Sequence, residues 1–165
     1  MGMVACFTSL PPETLKDLQD DPDQIDEYLN PDDGDSEPPN YIDLDKAWHG
    51  IHYLLTGEAE GGPEPAALAV FGGEEFGPEV GYGPARFLTA SQVRSVAELL
   101  ATLSPDVLAQ RFNAKDMESK DIYPDVIWVR DGKEALDYAL ENYQQLQVFY
   151  RDAAARGEAV IQWLS

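Results

Sequence analysis

The closing stretch Asp131–Ser165, DGKEALDYALENYQQLQVFYRDAAARGEAVIQWLS, sets the architecture from which the rest of the chain is read. Leu136, Ala139, Leu140, Tyr143, Leu146, Tyr150, Ala153 and Ala154 recur at three and four. That is the period of one apolar face on a helix of about six turns. Asp131 and Glu134 have the spacing of a capping box, in which the first side chain closes a free N–H and the second reaches back to its backbone. Gly157 supplies the left-handed stop. Beyond it, Ala159–Leu164 is short and apolar, which predicts a closing strand with Trp163 inside. Its expected partner is the apolar run at the other end, Met3–Leu10, which Pro11-Pro12 terminate. The expectation is an α+β fold over residues 1–165: one compact domain with a small, mainly antiparallel sheet. That sheet includes the N- and C-terminal strands and packs against several helices, one of them long and C-terminal.

Length agrees, because 165 residues with 44% apolar content fill one core and not two. The charge is the second informative feature: 31 acids against 11 Lys and Arg give a formal −20. The imbalance is concentrated between Glu13 and Glu37, where eleven carboxylates meet one cation, Lys16. There Leu15, Leu18, Ile25, Tyr28 and Leu29 have helical spacing broken by Pro22, so residues 13–40 read as two short helices with acidic outer faces, followed by a loop. The loop lacks the acid spacing of an EF-hand. A pI near 4.1 argues against nucleic acid, whose phosphates are held by Lys and Arg, and favours a basic protein as partner. No apolar run reaches the length of a membrane span, and the opening residues lack a cationic leader, so a cytoplasmic protein is expected. Cys6 stands alone and reads as a small buried hydrophobe.

Between the ends, punctuation marks further elements. Leu44–Leu55 reads as a helix capped by Asp43 and stopped by Gly57, with Leu44, Ala47, Trp48, Ile51 and Leu55 as its apolar stripe. The glycine-rich stretch from Gly57 to Gly83 holds one apolar run, Ala66–Phe71, taken as a short helix. A surface loop then leads into a strand at Ala85–Leu88. Gly81-Tyr82-Gly83-Pro84 has the wrong spacing for a phosphate loop. Thr89 with Gln92 forms a capping box, and Ser104-Pro105 starts another helix. Val126–Val129, bearing Trp128, reads as a short strand.

One cluster is capable of chemistry. Asp45, His49 and His52 are spaced four and three apart on the polar flank of the helix 44–55, with Lys46 and Tyr53 at its edges, so they can share one surface. A neighbouring carboxylate would favour the protonated imidazole. Three readings stand open: a structural helix anchored by Trp48, a ligand or partner pocket floored by Trp48 and Tyr53, or a metal or acid–base site. Asp-x3-His-x2-His is not a zinc signature, no cysteine stands nearby, and no cofactor or metal is expected.

At these residues the chain resembles a known family. Leu44–Gly57, LDKAWHGIHYLLTG, is similar to the hallmark of the YfbM-like bacterial family, a domain of unknown function. The opening Met-Gly-Met, Arg86–Thr89, Ile122-Tyr123-Pro124 and the ending from Phe149-Tyr150 to Trp163-Leu164 also agree. The resemblance implies an α+β domain in a bacterial cytoplasm and assigns no catalytic residue.

No Gly-x-Ser-x-Gly, His-Glu-x-x-His or Cys-x-x-Cys occurs, so the common enzyme signatures are absent. The first functional expectation is a non-enzymatic interaction module whose acidic segment docks on a basic surface, as an inhibitor or immunity factor for a basic toxin or nuclease would. Charge that serves solubility alone weighs equally. The alternative is a small-molecule-binding protein or enzyme built from Asp45, His49, His52, Tyr53 and the glycine-rich loop, with Arg86 as an anion contact.

Overall fold

Strands from opposite ends of the chain meet at the centre of the sheet. The computed structural model describes residues 2–165. The chain runs β1 (Ala5–Leu10), α1 (Pro12–Asp20), α2 (Ile25–Leu29), β2 (Ile42–Asp43), α3 (Trp48–Thr56), β3 (Glu74–Glu79), β4 (Pro84–Leu88), α4 (Ala90–Thr102), α5 (Pro105–Ala109), α6 (Ala114–Ser119), α7 (Ile127–Asp131), α8 (Lys133–Ala155) and β5 (Ala159–Leu164). The sheet order is β2-β1-β5-β4-β3, antiparallel throughout. β1 and β5 pair over their full length, from Ala5 opposite Leu164 to Leu10 opposite Ala159.

Alternation along these two strands assigns each residue to a face. Phe7, Val160 and Leu164 join a core with α3, α4 and α8. Cys6, Leu10, Ile161 and Trp163 join a second core on the other face, closed by Leu15 and Leu18 of α1 and Ile25 and Leu29 of α2, so the single core expected from chain length is divided by the sheet into two. Every residue of β1 and β5 is buried, because helices cover both faces. That explains why these strands read as mainly apolar runs, broken only by the buried Thr8 and Ser9 of β1 and Gln162 of β5. The acidic segment is thus the cover of one sheet face, with its leucines inward and its carboxylates outward. Cys6 is buried as expected, and burial pushes its thiol pKa up.

Local signals account for several boundaries. Thr89 and Gln92 form both halves of the capping box of α4, and Ser104 accepts from the Val107 N–H to start α5. Gly57 ends α3 with φ 79°.

Four expectations are corrected. Val126–Val129 is not a strand: Trp128 is fully buried while Val126 and Val129 are 57% and 48% exposed, and one inward residue among outward neighbours suits the helical turn of α7. Asp131 does not cap α8, because it ends α7 and holds Arg130 at 2.8 Å; Gly132 occupies the cap position, without a side-chain cap. The helix expected from Leu44 begins at Trp48 instead. The Asp43 carboxylate accepts from the Asp45 N–H at 2.9 Å, and Asp45 sits at φ 48°, so the segment turns before it coils. Lastly, the loop expected before Ala85–Leu88 contains a strand, β3. It is an exposed sheet edge carrying Glu74, Glu75, Gly77, Pro78 and Glu79, residues that blunt edges and carry no strand signal.

Among the described residues, no helix is long and apolar enough to cross a membrane.

Candidate functional site

A cleft of about 510 Å³ opens between α3, the two loops that follow it and β4. α3 contributes Trp48, His49 and His52; the first loop contributes Ala59–Gly62 and Glu64. The second supplies Leu68 and Val70–Gly73, and β4 supplies Arg86. Trp48 is fixed by its indole N–H, which donates to the Met3 carbonyl at 2.9 Å, and its ring stacks on His49 at 5.1 Å.

His49 is committed on both ring nitrogens. The Tyr123 backbone N–H reaches Nδ1 at 2.8 Å, and a backbone N–H only donates, so Nδ1 accepts. The proton therefore sits on Nε2, which donates to the Ala59 carbonyl at 2.8 Å. Burial holds the His49 pKa below its ordinary value, against the opposing pull of Ala59 and Glu60. His49 is a neutral tie between α3, the first loop and residue 123, with no nitrogen left to take a proton or a metal.

His52 differs. It is 6% exposed, and its Nε2 has no hydrogen-bond partner of good geometry, although the Gly61 backbone lies near enough to the ring to raise its pKa. Burial lowers its pKa first, the neighbouring His49 second, and the Gly61 backbone and Glu60 pull the other way. Arg86 donates from one terminal nitrogen to the Gly73 carbonyl at 3.2 Å and from the other to Glu75 at 2.9 Å, and its guanidinium covers the Phe71 ring at 4.7 Å. Its Nε is buried without a partner. Among the described residues these two are the only buried side-chain nitrogens or oxygens left unpaired, and both line the same cleft. Because a buried polar group without a partner costs about 1–3 kcal/mol, their coincidence calls for a cause.

The second loop is braced from below. Gln162 of β5 accepts from the Phe71 N–H and donates to the Leu68 carbonyl at 2.9 Å. The fully buried Tyr150 of α8 donates to the Ala69 carbonyl at 2.7 Å. Tyr150→Phe leaves that carbonyl unpaired and is expected to cost about 1 kcal/mol. The measurement is thermal denaturation, and an unchanged melting temperature would contradict the bracing.

The expected cluster is only partly assembled. Trp48, His49, His52 and Arg86 meet in the cleft, whereas Asp45, Lys46 and Tyr53 do not. Asp45 accepts from the Tyr138 hydroxyl at 2.7 Å, and that hydroxyl accepts from the Lys46 N–H at 3.0 Å. Tyr53 donates to Asp116 at 2.7 Å, and burial together with that bond pushes its pKa up to about 12. With Asp45 outside α3, the carboxylate that acts on the imidazoles is Glu60, and burial outweighs its pull on both. The pocket expected over Tyr53 is accordingly floored by Trp48, Phe71 and the loops. Among the described residues, no group of three or more His, Cys, Asp or Glu is placed to hold a metal.

A second concavity of about 520 Å³, between β2 and α8, is lined by Tyr41, Val148, Phe149 and Arg156. Arg156 is engaged there by Glu158 at 2.7 Å and Ser9 at 3.1 Å, and the groove holds no unpaired buried group.

The family profile described as "Domain of unknown function (DUF1877)" matches residues 1–163. The chain belongs to this family. Membership agrees with the YfbM-like resemblance read at Leu44–Gly57. The crystal structure of YfbM, a protein of unknown function from Escherichia coli, superposes with a TM-score of 0.77 at 19% identity, covering 98% of this chain and 99% of that one. At that identity the likeness is one of fold. No curated protein matches the chain. In this DUF1877 domain the cleft borders the hallmark helix. Sequence reasoning missed Gln162, Tyr150 and Phe71; the available signal was Gln162, the one amide inside an otherwise apolar strand.

Proposed function

We propose that the domain is a small-ligand-binding module whose cleft receives a ligand between His52 and Arg86. The support is the pairing of two sealed nitrogens without partners, His52 Nε2 and Arg86 Nε, in one cavity large enough for a small organic molecule. Binding is favoured over acid–base catalysis, because His49 has both nitrogens engaged and His52 has no carboxylate partner.

His52→Leu tests the reading. A residue kept for a ligand stores an unsatisfied group in the free protein, so its apolar replacement is expected to match or exceed the parent in stability, within about 1 kcal/mol. The comparison is thermal denaturation of the free proteins. A loss of more than about 2 kcal/mol would make His52 a packing residue, and the reading would fall.

One observation supports a second reading, docking to a basic protein. Asp23, Asp26, Glu27, Asp32 and Asp33 face one concavity. Among the described residues, the acidic segment makes a single ion pair, Lys16 with Asp20. Electrostatic docking at this surface predicts a partner that co-purifies at low salt. It should be lost both at high salt and when these five residues are changed to Asn or Gln. A partner indifferent to either change would contradict it.

A further inference from the structure

We infer that the ligand of the His52–Arg86 cleft is an uncharged, flat heterocycle carrying an amide or lactam group, the chemistry of a nucleobase. The inference rests on the binding role proposed above and adds the class of molecule bound.

The unpaired atoms set the polar requirement. Arg86 Nε carries a hydrogen and can only donate, so the ligand must present an acceptor there. A neutral imidazole nitrogen such as His52 Nε2 donates or accepts according to its tautomer, so it can meet either atom of a neighbouring N–H and C=O pair. An amide or lactam edge offers both. A purely apolar ligand, an acyl chain for example, would leave both nitrogens unsatisfied and would add their desolvation to its own cost.

Charge removes the obvious competitor, an anion. The Arg86 guanidinium is already matched by Glu75 at 2.9 Å. Glu60 and Glu64 also line the cleft. One cation against Glu60, Glu64 and Glu75 leaves a formal −2 with both histidines neutral, on a chain that carries −20 overall. A phosphate or carboxylate would enter against that field and find no Lys in the lining. A cation is also disfavoured, since it brings no lone pair for Arg86 Nε and meets a like charge at that end.

Shape supplies the rest. Trp48, Leu68, Val70 and Phe71 give apolar area, while Gly61-Gly62 and Gly72-Gly73 give two stretches of wall made of backbone alone. Peptide planes without side chains admit a flat ring at close range. At Gly73 a side chain is barred on two counts, a φ of 90° and the Phe87 carbonyl and Leu88 of β4, which lie where its Cβ would go, so glycine there seats the loop directly against β4.

Matched pairs that differ in charge test the class. Isothermal titration of the full chain would compare nicotinamide with nicotinate, and inosine with inosine 5′-monophosphate. Each uncharged member is expected to bind at least about tenfold more tightly than its anionic mate. Arg86→Lys, which keeps a cation for Glu75 but removes Nε–H, is expected to weaken binding of the uncharged member about tenfold, and His52→Leu likewise. Tighter binding of nicotinate or the monophosphate would overturn the ligand class while leaving the cleft as a binding site. Absence of binding by all four would also overturn the class. If His52→Leu is in addition strongly destabilised, the binding role falls with it.

Discussion

Gly50→Ala is expected to destabilise the domain by about 3 kcal/mol, a fall in melting temperature of roughly 6–12 °C for a chain of this size. Gly50 lies in α3, between the two histidines, where the six-membered ring of Trp128 lies against its backbone. A Cβ there would stand 2.6 Å from Trp128 Cζ2 and closer still to Cη2. The indole cannot retreat, since it is fully buried and its N–H donates to the Ile122 carbonyl at 3.0 Å. Alanine gains about 1 kcal/mol of helix propensity over glycine, less than the overpacking costs. The check is a double-mutant cycle followed by thermal denaturation. Trp128→Phe withdraws the ring atoms that clash, so the pair is expected to lose less than the sum of the single changes. An unchanged melting temperature in Gly50→Ala would show that α3 and α7 are free to shift. The histidines would then lack the rigid seat assigned to them.

The ends of the chain were legible for a physical reason that the middle does not share. β1 and β5 are buried on both faces, so neither needs polar alternation, and both stand out as apolar runs beside punctuating proline or glycine. α8 buries one stripe and shows it at intervals of three and four. β3 buries almost nothing; its single partly buried aromatic, Phe76, meets Phe87 edge-on at 5.0 Å, and that one contact leaves no period. Trp128 misled because a large apolar residue between Ile127 and Val129 has strand composition, while its direction is set by its packing into the core with the helices. The site followed the same rule. His49 and His52 share a face of α3 and could be seen together, and Arg86 was visible as a lone cation in a strand. The loops that complete the cleft are placed by Gln162 and Tyr150, which act from about ninety and eighty residues away through hydrogen bonds to backbone. Such bonds depend on where a carbonyl points, and residue type at the receiving end carries no trace of it. Asp45 shows the converse. Its spacing to His49 suited a helix, but the Asx turn from Asp43 offered the backbone a competing hydrogen bond and took it out of the helix.

Acidification from pH 6.5 to 5.5 is expected to lower stability at up to about 2.7 kcal/mol per pH unit, which is two protons at about 1.36 kcal/mol each. His49 and His52 both lie below their ordinary value of 6.5 in the fold, burial being the first cause for each. The unfolded chain therefore binds more protons than the fold once the pH drops below 6.5. Stability contributed by the neutral imidazoles is fully present above that value and is lost as the pH falls toward the folded-state values, below which the slope ends. The structural cost falls first on His49. A proton on Nδ1 would face the Tyr123 N–H, two donors opposed at a contact of 2.8 Å, and α3 would lose its tie to residue 123. Glu60 is the carboxylate that acts on both rings, and its pull is weaker than their burial. Asp116, held low first by the Tyr53 hydroxyl, does not share this window, because it loses its contribution only below its ordinary 3.8. Urea denaturation at pH 7.0, 6.5, 6.0 and 5.5 would measure the slope in the parent and in the His49→Gln, His52→Leu double variant. Glutamine can keep an N–H directed at Ala59 but does not titrate, so the double variant is expected to lose most of the slope. A variant as acid-sensitive as the parent would place the titrating groups elsewhere, and the neutral, both-sides-bonded state of His49 would no longer account for how α3 is held against the cleft.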